Sequence, residues 1–100
     1  MAWFVYLIEC TNGSIYTGIA VDVAARYAAH ASGKGARYTR AHKPLRLLAA
    51  FEYADRSAAS IAEYHIKQLS PRDKRELCRQ APAAIQGVRD AIDSRNAGSA

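Results

Sequence analysis

The sequence predicts a small α+β domain, with strands forming a modest sheet and helices packed on it. Three observations lead there. A nearly continuous apolar run at the N-terminus is followed by a turn signal and a second strand-like run. Two later stretches carry apolar residues at helical spacing. The 100-residue length allows one core and no second domain.

Ala2 to Cys10 (AWFVYLIEC) is rich in apolar, β-branched and aromatic residues, the pattern of a strand buried on both faces. Thr11-Asn12-Gly13 signals a turn, and Ser14 to Ala20 (SIYTGIA) reads as a second strand. Asp22 suits the N-cap of a helix running to about Ser32. Gly33, Lys34 and Gly35 end that helix, and the chain then reads as loop to Pro44. Leu45 to Ala54 is a third apolar run, read as a strand because of Phe51 and Tyr53, although its Leu/Ala-rich start also fits a helix. Asp55 or Ser57 caps a helix from about Ala58 to Leu69. Ser70 and Pro71 then open another as N-cap and first helical residue. A last helix is expected from about Ala83 to Ser94, so the order is β-β-α-β-α-α. Residues 1–95 form one domain and 96–100 a frayed tail.

The composition is that of an ordinary globular chain, 50% hydrophobic and 23% charged. No apolar run approaches the length of a membrane span, and the N-terminus enters a strand-like run without a basic leader. A cytoplasmic protein without membrane association is the expectation. Cys10 and Cys78 lack zinc-ligand spacing and are expected to be reduced and packed.

The placement of charge says more than its total of +5. Arg26, Lys34, Arg37, Arg40, Lys43 and Arg46 fall in one stretch that holds no acid. The rest of the chain has eight basic and nine acidic residues. Such a cluster, interleaved with Tyr38 and two glycines, suits phosphate contacts, where an aromatic stacks on a base and glycine admits close backbone approach. A solvated basic loop is the bland alternative.

The hairpin can close in two ways. A two-residue Asn12-Gly13 turn pairs Thr11 with Ser14 and sends Tyr6 and Tyr16 to opposite faces. A three-residue Thr11-Asn12-Gly13 loop, with Gly13 left-handed, pairs Cys10 with Ser14. Tyr6 then lies opposite Gly18, with open space over its ring, and both phenols share a face. In the first helix, Val23, Ala24, Tyr27, Ala28 and Ala31 form an apolar stripe, and Arg26 and His30 share a face just off its edge. In isolation that pair reads as a solvated arginine beside a surface histidine. In the later helix the stripe is Ala58, Ile61, Ala62, His65, Ile66 and Leu69, with His65 as a packed histidine. Glu63 lies well off this stripe with Lys67 one turn on, a spacing that is usually surface decoration.

Taken in order, Phe4-Val5-Tyr6, Tyr16-Thr17-Gly18, Arg26-x-x-x-His30 and Glu63 resemble the GIY-YIG endonuclease superfamily. The surrounding strings VYLIEC and SIYTGIA, the glycine-basic-Tyr38-Thr39 loop and the Ile-Lys-x-Leu after Glu63 are similar to its small stand-alone bacterial members. The likeness runs from about Ala2 to Arg79. It implies a three-stranded antiparallel sheet flanked by helices and a metal-dependent phosphodiesterase acting on DNA, with RNA also open. Catalytic positions would be Tyr6, Tyr16, Arg26, His30 and Glu63. Glu63 would hold one Mg²⁺ or Mn²⁺, Arg26 would brace the scissile phosphate, and Tyr6 or Tyr16 would position or deprotonate the attacking water. His30 would relay a proton or contact phosphate. Lys34, Arg37, Tyr38, Arg40 and Lys43 would meet the nucleic acid. The chain departs from the family pattern at Phe4 and Thr17, and no asparagine lies between Glu63 and Asn96. A binding module with little or no cleavage is therefore the second reading.

Overall fold

The computed structural model describes residues 1–80. The helix expected over Ala83 to Ser94 and the tail fall outside the described residues. Three strands, β1 (Trp3–Cys10), β2 (Ile15–Ala20) and β3 (Pro44–Tyr53), form an antiparallel sheet in the order β2-β1-β3. The helices are α1 (Val23–Ala31), α2 (Arg37–Ala41), α3 (Arg56–Lys67) and α4 (Pro71–Arg79).

β1 is the central strand, and every residue from Val5 to Cys10 is buried, as its continuous apolar reading requires. Its alternation divides the core. Tyr6, Ile8 and Cys10 face α1 and pack with Ala20, Val23, Ala24, Tyr27, Leu47 and Ala50. Val5 and Leu7 face the other way, onto Ile15, Ala49, Ala59 and Ile66, the last two from α3. Cys10 and Cys78 pack against opposite faces of the sheet and are not joined by a disulfide. The third apolar run is a strand, including its Leu/Ala-rich start, and ends at Tyr53, one residue before the expected Ala54. Its pairing with β1 shifts register between Leu7 and Ile8 and between Glu9 and Cys10.

The hairpin takes the three-residue turn. Tyr6 pairs with Gly18 and Ile8 with Tyr16, the Gly13 N–H donates to the Cys10 carbonyl at 2.9 Å, and Gly13 has φ +85°. Asp22 caps α1 by accepting from the Ala25 N–H, Asp55 rather than Ser57 caps α3 through the Ala58 N–H, and Ser70 caps α4 ahead of Pro71.

Four readings are corrected. Residues 33–44 are not all loop, because Arg37–Ala41 makes a single helical turn, α2, closed by a His42 N–H to Tyr38 carbonyl bond. Five residues are too few to leave a periodic trace. The buried side of α3 is Ala59 and Ile66 with Ala62 beside them, so His65 is exposed rather than packed, as are Ile61 and Tyr64. That rotation brings Glu63 to the edge of the packed face, half-buried, instead of well off it. In α1, Ala31 is exposed, and the buried position is His30, with a fractional exposure of only 1%.

Candidate active site

The site grows from the pairing of Tyr6 with Gly18. A Cβ on Gly18 would sit 2.5 Å from the Tyr6 hydroxyl, so the space over this glycine is filled by the Tyr6 phenol itself and is not open as the pairing had suggested. The phenol reaches across to α1, where its hydroxyl lies 2.9 Å from His30 Nε2. His30 Nδ1 lies 2.7 Å from Thr39 Oγ1 of α2, and the Thr39 hydroxyl in turn donates to the Ala36 carbonyl at 3.0 Å. With that proton committed, Thr39 accepts from Nδ1–H, and Nε2 accepts from the Tyr6 hydroxyl. The Ala36 N–H, 3.4 Å from Nδ1, favours the opposite tautomer but is the longer contact. Gly35 completes the seat, since a Cβ there would stand 2.2 Å from the His30 ring.

An aromatic row leads outward from this buried pair. Tyr6 and Tyr16 ring centroids are 6.3 Å apart, and Tyr16 lies 5.1 Å from His30. Tyr16 also stacks on Tyr38 at 6.1 Å with an interplanar angle of 23°, and Tyr38 lies 4.8 Å from His42. The hairpin turn holds the outer end. Tyr38 Oη donates to Ser14 Oγ at 2.5 Å, Ser14 Oγ donates to Asn12 Oδ1 at 2.6 Å, and Asn12 Nδ2 reaches His42 Nδ1 at 3.1 Å. The Thr11 N–H adds a bond to the Lys43 carbonyl at 2.9 Å. The turn that sets the register thus also anchors the basic segment.

Electrostatics tie the five candidate residues together. The Tyr6 phenol is pushed up to about 12, first by burial and next by Tyr16, with the Arg26 guanidinium opposing the rise and Glu63 adding to it. Arg26 and Glu63 therefore both act on the hydroxyl of Tyr6. His30 is lowered to about 4, by burial first and then by Arg26, and is neutral near pH 7. With the phenol raised and the imidazole lowered, proton transfer from Tyr6 to His30 is strongly uphill, which makes the pair a fixed hydrogen bond and not a base dyad.

The placement is not one flat constellation. Tyr6, Tyr16 and His30 belong to the α1 side, whereas Glu63 comes from α3, which packs on the opposite face. β2 is an edge strand, and the Glu63 carboxylate is near enough to add to the rise of the Tyr6 phenol. Glu63 also pairs with Lys67 at 3.6 Å. Lys34, Arg37, Tyr38, Arg40 and Lys43 are all exposed, while Arg46 is drawn away to Glu9 at 2.8 Å. Among the described residues no group of three or more acidic, histidine or cysteine side chains is gathered for a metal. A single half-buried carboxylate fits a hard cation that keeps most of its waters. Gly35 and Thr39, which seat His30, were missed by the sequence reading. Their only trace was adjacency to the basic and aromatic residues of the same loop.

The fold is thus a three-stranded antiparallel sheet flanked by helices, with Tyr6, Tyr16 and His30 gathered on its α1 side. The GIY-YIG catalytic domain family matches residues 2–76, and the chain belongs to that family, which is one of nucleases. A UPF0213 protein of Cupriavidus necator is 55% identical over 82 residues, covering 82% of this chain and 89% of that protein. A UPF0213 protein of Desulfotalea psychrophila is 46% identical over 88 residues, covering 87% and 80%. The solution NMR structure of a UPF0213 protein from Bacillus halodurans is 45% identical, covers 80% of this chain and 85% of that one, and superposes with a TM-score of 0.51. These names state no activity.

Proposed function

We propose that this chain is a metal-dependent endonuclease that hydrolyses phosphodiester bonds in DNA. The observation that carries the reading is the Tyr6 hydroxyl, which Tyr16, Arg26 and Glu63 all influence and which His30 holds from behind. Glu63 would hold one Mg²⁺ or Mn²⁺, which when bound would acidify water and neutralise charge on the phosphate and leaving oxygen. Arg26 offers a planar fork to two phosphate oxygens. Tyr6 donates a hydrogen bond to His30 and accepts one from Arg26, so its remaining lone pair would orient the attacking water without deprotonating it. Tyr16, next in the row and half-buried, would be the phenol that assists proton removal. His30 stays neutral and acts as a positioning residue. Lys34, Arg37, Arg40 and Lys43 contact the backbone of the nucleic acid, which positions it without reading its sequence, and Tyr38 offers its ring to an unpaired base.

The test is cleavage of labelled single-stranded, duplex and flapped DNA, and of RNA, in Mg²⁺, Mn²⁺ or EDTA. The wild type should cut in metal, and Glu63→Ala should bind but not cut. Binding without cleavage in every metal would overturn the enzyme reading. It would favour the second one, a nucleic-acid-binding module, for which the absence of any asparagine between Glu63 and Asn96 is the specific observation.

A further inference from the structure

A groove of about 270 Å³ crosses the outer edge of β2 and is lined by Ile15, Tyr16, Thr17, Tyr38, Lys67 and Lys74. It joins the two sides of the sheet, since Tyr16 and Tyr38 belong to the aromatic row while Lys67 and Lys74 come from α3 and α4. Neither lysine was singled out for binding in the sequence.

We infer that this groove holds one unpaired nucleotide beside the scissile bond, with its base on the outer face of Tyr38 and its phosphate between Lys67 and Lys74. The inference rests on the nuclease reading for the position of the scissile bond. Three independent features carry it. Tyr38 is backed by Tyr16 and flanked by His42 at 4.8 Å yet remains 40% exposed, so a held ring presents open surface to a base. Lys74 is half-buried, and Lys67, itself exposed, has a 3.6 Å i,i+4 pair with the half-buried Glu63 to give up. The Thr17 hydroxyl, in a residue 3% exposed, is the one buried side-chain oxygen or nitrogen without a hydrogen-bond partner among the described residues. A buried hydroxyl without a partner is a donor and acceptor at the groove wall.

Position favours an unpaired strand over a duplex. Lys67 lies one turn beyond Glu63 on the same helix, so the phosphate that it would hold neighbours the carboxylate. Stacking on Tyr38 requires a base face that a paired and stacked duplex does not present. The groove is also too small for a duplex. Positive side chains with an aromatic platform are the usual means of holding a single strand irrespective of sequence.

The experiment uses a short single-stranded oligonucleotide carrying 2-aminopurine, in EDTA so that nothing is cut. Binding to the full chain should quench the 2-aminopurine as it stacks. Tyr38→Leu should abolish the quench and weaken binding about tenfold. Tyr38→Phe keeps the ring and loses only the bond to Ser14, and should retain the quench. The Lys67→Gln/Lys74→Gln double variant should reduce the slope of log affinity against log salt by about 0.7, one phosphate contact. A blunt duplex should be bound equally by wild type and variants. Equal affinity, slope and quench for wild type and variants on the single strand would overturn the inference, as would an equal loss on the duplex. Quench without cleavage in any metal would sink the nuclease reading and leave the nucleotide groove standing.

Discussion

His30 is enclosed by residues from β1, from the loop after α1 and from α2. Alone it fitted a surface histidine, because its burial depends on Tyr6, Gly35 and Thr39, none of which is its neighbour on the helix. Its lowered value of about 4 against an ordinary 6.5 means that the unfolded chain binds a proton that the folded chain refuses. Stability should therefore fall as pH drops from about 6.5 toward about 4, by roughly 1–3 kcal/mol. Urea midpoints at pH 7 and pH 5 measure this, and His30→Gln should flatten the difference. Glu9 is held below the usual carboxylate range, by its bond from Arg75 first and with help from Arg46. Its stabilisation is present above 4.5 and is lost only at still lower pH, so the acid limb should have two stages. Gly35→Ala should cost about 1–3 kcal/mol, because the added methyl meets the His30 ring in a packed interior. A thermal melt reads that loss, and an unchanged melting temperature would mean the loop simply steps aside. The paired tyrosines were legible at this scale, conditional on the turn, whereas the seat of the histidine was not.

At the scale of elements, strands and caps were the most readable features. Every expected cap among the described residues is filled by an expected side chain, because capping is a local bond between near neighbours. The faces of α3 were less readable. Its alanines, isoleucines and a histidine allow several stripes of similar hydrophobicity, and contact with β1 and β2 chose Ala59 and Ile66. That choice is what carries Glu63 to the sheet edge. α4 shows a further link invisible in sequence. Arg75 bonds the buried Glu9 carboxylate and donates to the Gly13 carbonyl at 2.9 Å, tying this helix to the hairpin turn. Arg75→Ala leaves Glu9 with Arg46 alone, and because both arginines are partly exposed the cost should be about 1–2 kcal/mol. Faster amide exchange in α4 and at the turn would report the release, and unchanged exchange there would show that the apolar contacts of Leu77 and Cys78 suffice.

Across the whole molecule, the charge pattern was legible as a segment but not as a surface. The acid-free stretch is divided in the fold. Arg46 is used internally by Glu9, whereas Arg37 and Arg40 stand exposed on α2. The Arg37→Gln/Arg40→Gln double variant should flatten the salt dependence of DNA binding by about 1.4–1.8 in slope, while leaving the melting temperature nearly unchanged. An unaltered slope would mean that α2 is only a solvated ridge. No helix among the described residues is long and apolar enough to cross a membrane.

The turn at Thr11 to Gly13 has a consequence for how such a chain can vary. Tyr6 and Tyr16 share a face only because the loop between their strands has an odd length, with Cys10 facing Ser14. Losing one residue there would favour the tight two-residue turn, slide β2 by one position and carry Tyr16 through the sheet. The hairpin would survive, and each residue of β2 would keep its identity, yet the two phenols would be parted. Loop length in this hairpin is therefore subject to parity. A single-residue insertion or deletion, normally the mildest of changes in a surface turn, acts on the site like the loss of a catalytic side chain.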